Sequence, residues 1–95
     1  MSSSILKYSD PTTVFRKAKQ FKLGTVKRST RREKKYMAQR PDGRWVHFGQ
    51  MGYEDYTKHH DKKRRANYLT RSGRIKGDWK RDPYSANNLA RKLLW

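Results

Sequence analysis

A small α+β domain is what this sequence predicts. An antiparallel β-hairpin or small sheet over residues 34–95 is packed by two short helices, and a basic arm, residues 1–33, precedes it. Three observations lead there. A turn at Pro41, Asp42 and Gly43 joins two stretches rich in aromatic and β-branched residues. The terminal run ANNLARKLLW places Ala86, Leu89, Ala90, Leu93 and Leu94 at the offsets of one helix face. Nine of the twelve aromatic residues fall after residue 35, whereas residues 1–35 hold eleven Lys or Arg and only two acids.

Taken in order, the arm offers Phe15, Ala18 and Phe21 at helical offsets. One short helix is expected there, ended by Gly24, and the rest of the arm is expected to be extended. Tyr36–Gln39 and Arg44–Phe48 form the hairpin, with Gly43 supplying a positive φ. A lone hairpin is marginal in water, so something must cover one face. After a glycine-marked turn, GQMGYEDY, Asp61 stands where an N-cap belongs, ahead of KKRRANYLTRSG. Gly73 is expected to close that helix in the left-handed conformation. Ala66, Leu69, Tyr68 and the stem of Arg65 would give it a narrow apolar stripe. Trp79 anchors the next link, and Ser85 caps the last helix. The expected core is Trp45, Phe48, Tyr56, Leu69, Trp79, Leu89, Leu93 and Trp95.

Twenty-five Lys and Arg stand against eight Asp and Glu, a formal charge of +17. Such an excess repels itself unless an anionic partner neutralises it. Nucleic acid, an anionic membrane surface and an acidic protein surface all qualify, and nucleic acid leads through counterion release. The absence of cysteine excludes disulfides and cysteine-ligated zinc. No apolar run reaches the length of a spanning helix or a signal-peptide core, so a reducing compartment is expected.

The stretch VHFGQMGYEDYTKHHDKKRRANYL sets Glu54, Asp55 and Asp61 around His59 and His60, which invites a metal or nuclease reading. Adjacent histidines point in different directions, however, and Lys58, Lys62, Lys63, Arg64 and Arg65 would repel a divalent cation. A metal-dependent nuclease is thus the weaker alternative, and the expectation is no catalysis, no metal and no cofactor. The acids read better as a helix cap and as partners for nearby cations.

From residue 58 to residue 81, ten Lys or Arg face only Asp61 and Asp78. A merely solvated helix face would interleave signs. The expected contacts to nucleic acid or an acidic partner are therefore Lys58, Lys62, Lys63, Arg64, Arg65, Arg71, Arg74, Lys76, Lys80 and Arg81, with Arg28, Arg31 and Arg32 from the arm. Nothing in the sequence marks a base-reading module, so binding without sequence preference is expected.

Lys34-Lys35-Tyr36, His47-Phe48-Gly49, the run GYEDYTKHHDKKRRANYLTR, Trp79, Asp82-Pro83 and the closing LARKLLW occur in a fixed order. Over residues 34–95 this order resembles a family of small basic proteins of uncharacterised function from nucleocytoplasmic large DNA viruses of eukaryotes. In that frame the histidine of Asp-Tyr-Thr-Lys-His is His59. The resemblance implies a viral protein made in the host cytoplasm or nucleus and carried in the virion, and it implies no catalytic role. It allows two structural roles. One is a minor capsid (cement) protein on the inner face of the shell, held to the major capsid protein and other minor capsid proteins by its arm. The other is a DNA-condensing protein of the nucleoid. A docking domain with an extensible arm favours the first.

Overall fold

The computed structural model describes residues 2–95. Three strands form one antiparallel sheet in the order β1 (Val26–Arg28), β2 (Lys34–Gln39), β3 (Trp45–Gln50). Val26 pairs with Ala38 in the first ladder, and Tyr36 pairs with Phe48 in the second. Four α-helices accompany the sheet: α1 (Pro11–Gln20), α2 (Tyr56–His59), α3 (Lys62–Gly73) and α4 (Ala86–Leu93). Two 3-10 helices, Ser2–Lys7 and Asp78–Arg81, complete the fold. The α+β class expected from the sequence is therefore the class observed, with the larger of the two sheets envisaged.

The β2–β3 turn is built as its residues dictate. The Gly43 N–H donates to the Arg40 carbonyl at 2.9 Å, and Gly43 takes φ +92. That is a type I turn followed by a left-handed residue, a common three-residue hairpin loop. Ser85 caps α4 by accepting the Asn88 N–H, and Asp61 caps α3 by accepting from Lys63 and Arg64.

The N-terminal segment departs from expectation. It is not an extended arm. Asp10 caps α1 with Pro11 in the first turn, and Val14 and Ala18, four residues apart, turn inward and are buried together with Ile5. Phe15 meets Tyr36 edge-on, with ring centroids 5.9 Å apart. The radius of gyration is 12.6 Å, against about 12 Å for a compact chain of this length. The reason is the hairpin's need for cover: α4 alone cannot hide the sheet face carrying Tyr36, Ala38 and Phe48, and α1 supplies the rest.

Two glycines also act otherwise than expected. α1 ends at Gln20, and Lys22 takes φ +56 before the chain turns. Gly24 is needed a little later, where a Cβ would sit 2.7 Å from the Gln39 carbonyl oxygen. Gly73 remains helical, and Arg74 closes α3 in right-handed geometry.

Phe48, Leu89 and Leu93 are core residues as expected. Trp45 is exposed, and Tyr56, Leu69, Trp79 and Trp95 are half-buried at the periphery. The places expected for large aromatics are filled by Ile5, Val14, Ala18, Tyr36, Ala38, Ala90 and Leu94. Packing against a three-stranded sheet favours small and aliphatic residues where backbones approach, and the tryptophans, too bulky for that space, cover its rim.

A buried polar chain ties the N-terminal segment to the sheet. Tyr36 donates to Ser9 Oγ at 2.7 Å, and Ser9 and Thr57 hydroxyls lie 3.2 Å apart. Thr57 in turn donates its hydroxyl proton to Asp55 Oδ1. Each hydroxyl has one proton, so Ser9 must donate to Thr57, and the whole chain points at the Asp55 carboxylate. Lys35 Nζ closes it from the other side at 3.2 Å.

Candidate nucleic-acid interface

The acids of this protein are used structurally. Asp10, Asp55 and Asp61 are the N-caps of α1, α2 and α3. Asp82 pairs with Arg40 at 2.8 Å, Glu54 with Arg64 at 3.6 Å, and Asp42 with Arg44 at 3.9 Å. The Arg40 guanidinium, with the Tyr84 N–H, holds the Asp82 carboxyl below the usual carboxylate range. Six of the eight acids are thus engaged, leaving Glu33 and Asp78, whereas the chain carries 25 Lys and Arg in all.

Helix α3 carries the densest part of the excess. Ser72 is its only buried residue. Lys62, Lys63, Arg64, Arg65, Arg71 and neighbouring Arg74 are all exposed. The expected stripe of Ala66 and Leu69 does not seat it: Ala66 is exposed and Leu69 half-buried. Three other contacts hold the helix. Tyr68 stacks on Trp95 with centroids 4.3 Å apart and planes 10° from parallel. Arg91 of α4 donates to the Leu69 carbonyl and to Ser72 Oγ, each at 2.6 Å. Asn87 donates to the Ser72 carbonyl at 3.0 Å. The helix is therefore mounted by one end and one edge, and Lys62, Lys63 and Arg71 are exposed to water.

Of the other expected contact residues, Lys58, Lys76, Lys80, Arg81, Arg31 and Arg32 are exposed. Lys80 leans over the Trp79 ring, 5.6 Å from its centroid. Arg28 is half-buried and donates from Nε to the Lys35 carbonyl at 3.2 Å, which ties it to the sheet. Arg65 lies over Tyr56 and donates to the Trp95 carbonyl. One pairing is invisible to local spacing: Lys27 of β1 stands 4.8 Å from the Trp45 ring of β3. Only the register that brings these strands together around β2 leads to it.

The histidines serve the turn between α2 and α3. Asp61 N–H donates to His59 Nδ1 at 2.9 Å, so Nδ1 is an acceptor and the neutral ring carries its proton on Nε2. Burial, then the Arg64 charge, lowers the His59 pKa. His60 takes φ +56 and bonds the Thr57 carbonyl from Nε2 at 3.0 Å. Both rings lie beside Tyr56, with centroids 6.1 and 5.9 Å from its own. Among the described residues no group of three or more His, Cys, Asp or Glu is placed to hold a metal ion.

The region from β1 to the end of α3 also corresponds to a recognised sequence unit. Residues 24–72 match a family of unknown function, DUF5754. The chain belongs to this family. No curated protein and no solved structure matches it. The family region contains the sheet, the Lys35–Asp55 pair and the cationic helix, while α1 and α4, which cover the sheet, lie outside it.

Proposed function

We propose that this protein binds double-stranded DNA through its phosphates, without reading base sequence, as a condensing protein of a large DNA virus nucleoid. The viral setting rests on the family resemblance of residues 34–95. The observation that carries the binding reading is the division of labour among charges: the acids cap helices or pair locally, and Lys62, Lys63 and Arg71 of α3 are left facing solvent. A solvated helix has no use for that imbalance, whereas a polyanion releases counterions when such a surface meets it.

The minor-capsid reading relied on an arm free to run along neighbouring subunits. With Ile5, Val14 and Ala18 in the core, residues 5–18 are committed to the domain, and that reading loses its device. An anionic membrane surface would take the same cations. The nuclease reading is left with histidines occupied in a turn.

The test is binding to unrelated duplexes of equal length across a salt series. Equal affinities that fall steeply with salt support the reading. Binding that ignores salt, or that prefers one duplex strongly, overturns it. In particles, extraction at moderate salt together with the genome supports the nucleoid. Retention in whole shells emptied of DNA restores the inner-capsid reading.

A further inference from the structure

Because α3 is held at one edge, a cleft of about 1070 Å³ opens between it, the ends of β2 and β3, and α4. That is at the upper end of ligand-binding clefts, too large for an ion or a single side chain. Its accessible lining is partly apolar: half-buried Tyr68 and Trp95 and exposed Ala86 stand over the buried Phe48, Ala90 and Leu94. Two of the large hydrophobic residues left exposed, Tyr53 at 66 % and Ile75 at 53 %, stand at its borders. Four cations line it: Lys35, paired with Asp55, and Lys34, Arg64 and Arg71, which come from opposite walls; the one acid of the lining, Glu54, pairs with Arg64 at 3.6 Å. Arg64 and Arg71 are seven residues apart on α3 and so share a face.

We propose that this cleft docks an acidic amphipathic segment of a partner protein. Large apolar side chains of the segment seat against Tyr68 and Trp95 between Tyr53 and Ile75, and its carboxylates meet Lys34 and Arg71. The site shares Arg71 with the cationic surface of α3, and its apolar lining distinguishes the two ligands. A phosphate backbone brought over Tyr68 and Trp95 would lose water without gaining a polar partner, whereas leucine or phenylalanine side chains gain burial there. A second copy of this chain is an unsuitable occupant. Its net charge is +17, and most of its acids already cap helices or pair with cations. The occupant comes from an acidic protein.

The experiment uses the full chain and a short labelled peptide carrying Leu and Phe at helical spacing among Glu residues. The control is the same peptide with each Leu and Phe replaced by Ser. At physiological salt the amphipathic peptide is expected to bind about tenfold more tightly than the control, and Ile75→Glu or Arg71→Glu to weaken it about tenfold. Both substituted side chains are exposed, so unchanged circular dichroism is expected for both variants. Chemical-shift changes should centre on Tyr53, Tyr68, Ile75 and Trp95. Equal binding of the two peptides would reduce the effect to charge alone and overturn the proposal. So would indifference to both substitutions, or shift changes elsewhere. Peptide binding that survives in a protein unable to bind DNA would leave the docking site standing and the nucleic-acid reading fallen.

Discussion

Lys35 Nζ and Asp55 Oδ2 lie 3.2 Å apart with side chains 2 % and 1 % exposed, an ion pair almost wholly withdrawn from water. It joins strand β2 to the N-cap of α2, and Lys35 reaches on to the carbonyls of Tyr8 and Tyr53. Burial lowers the Lys35 pKa, and the Asp55 charge opposes that shift. Such a pair is a junction between segments distant in sequence more than a source of net stability.

Removing one member should therefore be severe. Asp55→Ala strands a buried ammonium and orphans the Thr57 N–H and hydroxyl. The expected loss is about 3–5 kcal/mol in urea denaturation. A loss below about 1 kcal/mol, the ordinary range of an exposed pair, would show that Lys35 reaches water in solution.

Tyr36 makes a prediction at alkaline pH. Burial raises its pKa from 10.0 to about 12. The folded protein keeps the phenol proton where the unfolded chain releases it. Its contribution is thus complete below pH 10 and is lost as pH rises through about 12. Integrated over that window the effect is about 2–3 kcal/mol. Lys35, with its lowered pKa, contributes the opposite slope nearby, so wild type should be compared with Tyr36→Phe. The variant should be the less sensitive between pH 10 and 12, and parallel stability curves would contradict the assignment.

Deleting residues 1–22 should abolish cooperative unfolding. The deletion removes Ile5, Val14 and Ala18 from the core, uncovers Tyr36, and takes Ser9 from the polar chain to Asp55. A truncated chain with a sharp thermal transition would mean that β1–β3 and α4 suffice, and that the segment is an arm after all.

For DNA binding, Lys62→Gln with Lys63→Gln should weaken all duplexes alike. The slope of log affinity against log salt should become shallower by about 0.9 for each phosphate that the variant no longer neutralises. The double change His59→Ala with His60→Ala should leave that slope unaltered, because both rings bond within the turn, to the Asp61 N–H and the Thr57 carbonyl. A slope unchanged by the lysine pair would move the interface away from α3.

What the sequence determined by itself is what short-range chemistry dictates. Pro41, Asp42 and Gly43 define the hairpin turn, Asp61 and Ser85 start α3 and α4, and the spacing of Leu89, Ala90 and Leu93 orients the last helix. The charge excess needs no structure at all. A further local signal, Asp10 before Pro11, marks the start of α1 as a cap. The burial of that helix carries no such mark, because two inward residues, Val14 and Ala18, make a face only when a sheet lacks cover. Tertiary structure decided which bulky residues go inside: Trp45 and Trp79 were excluded, while Ala38 and Tyr36 were admitted, since close backbone approach sets the available volume. It also decided that Asp55 pairs with Lys35, twenty residues away, and that α3 hangs from Arg91 and Trp95 with a cleft beneath it. Those outcomes depend on segments distant in sequence meeting in space, a relation that periodicity and capping signals do not encode.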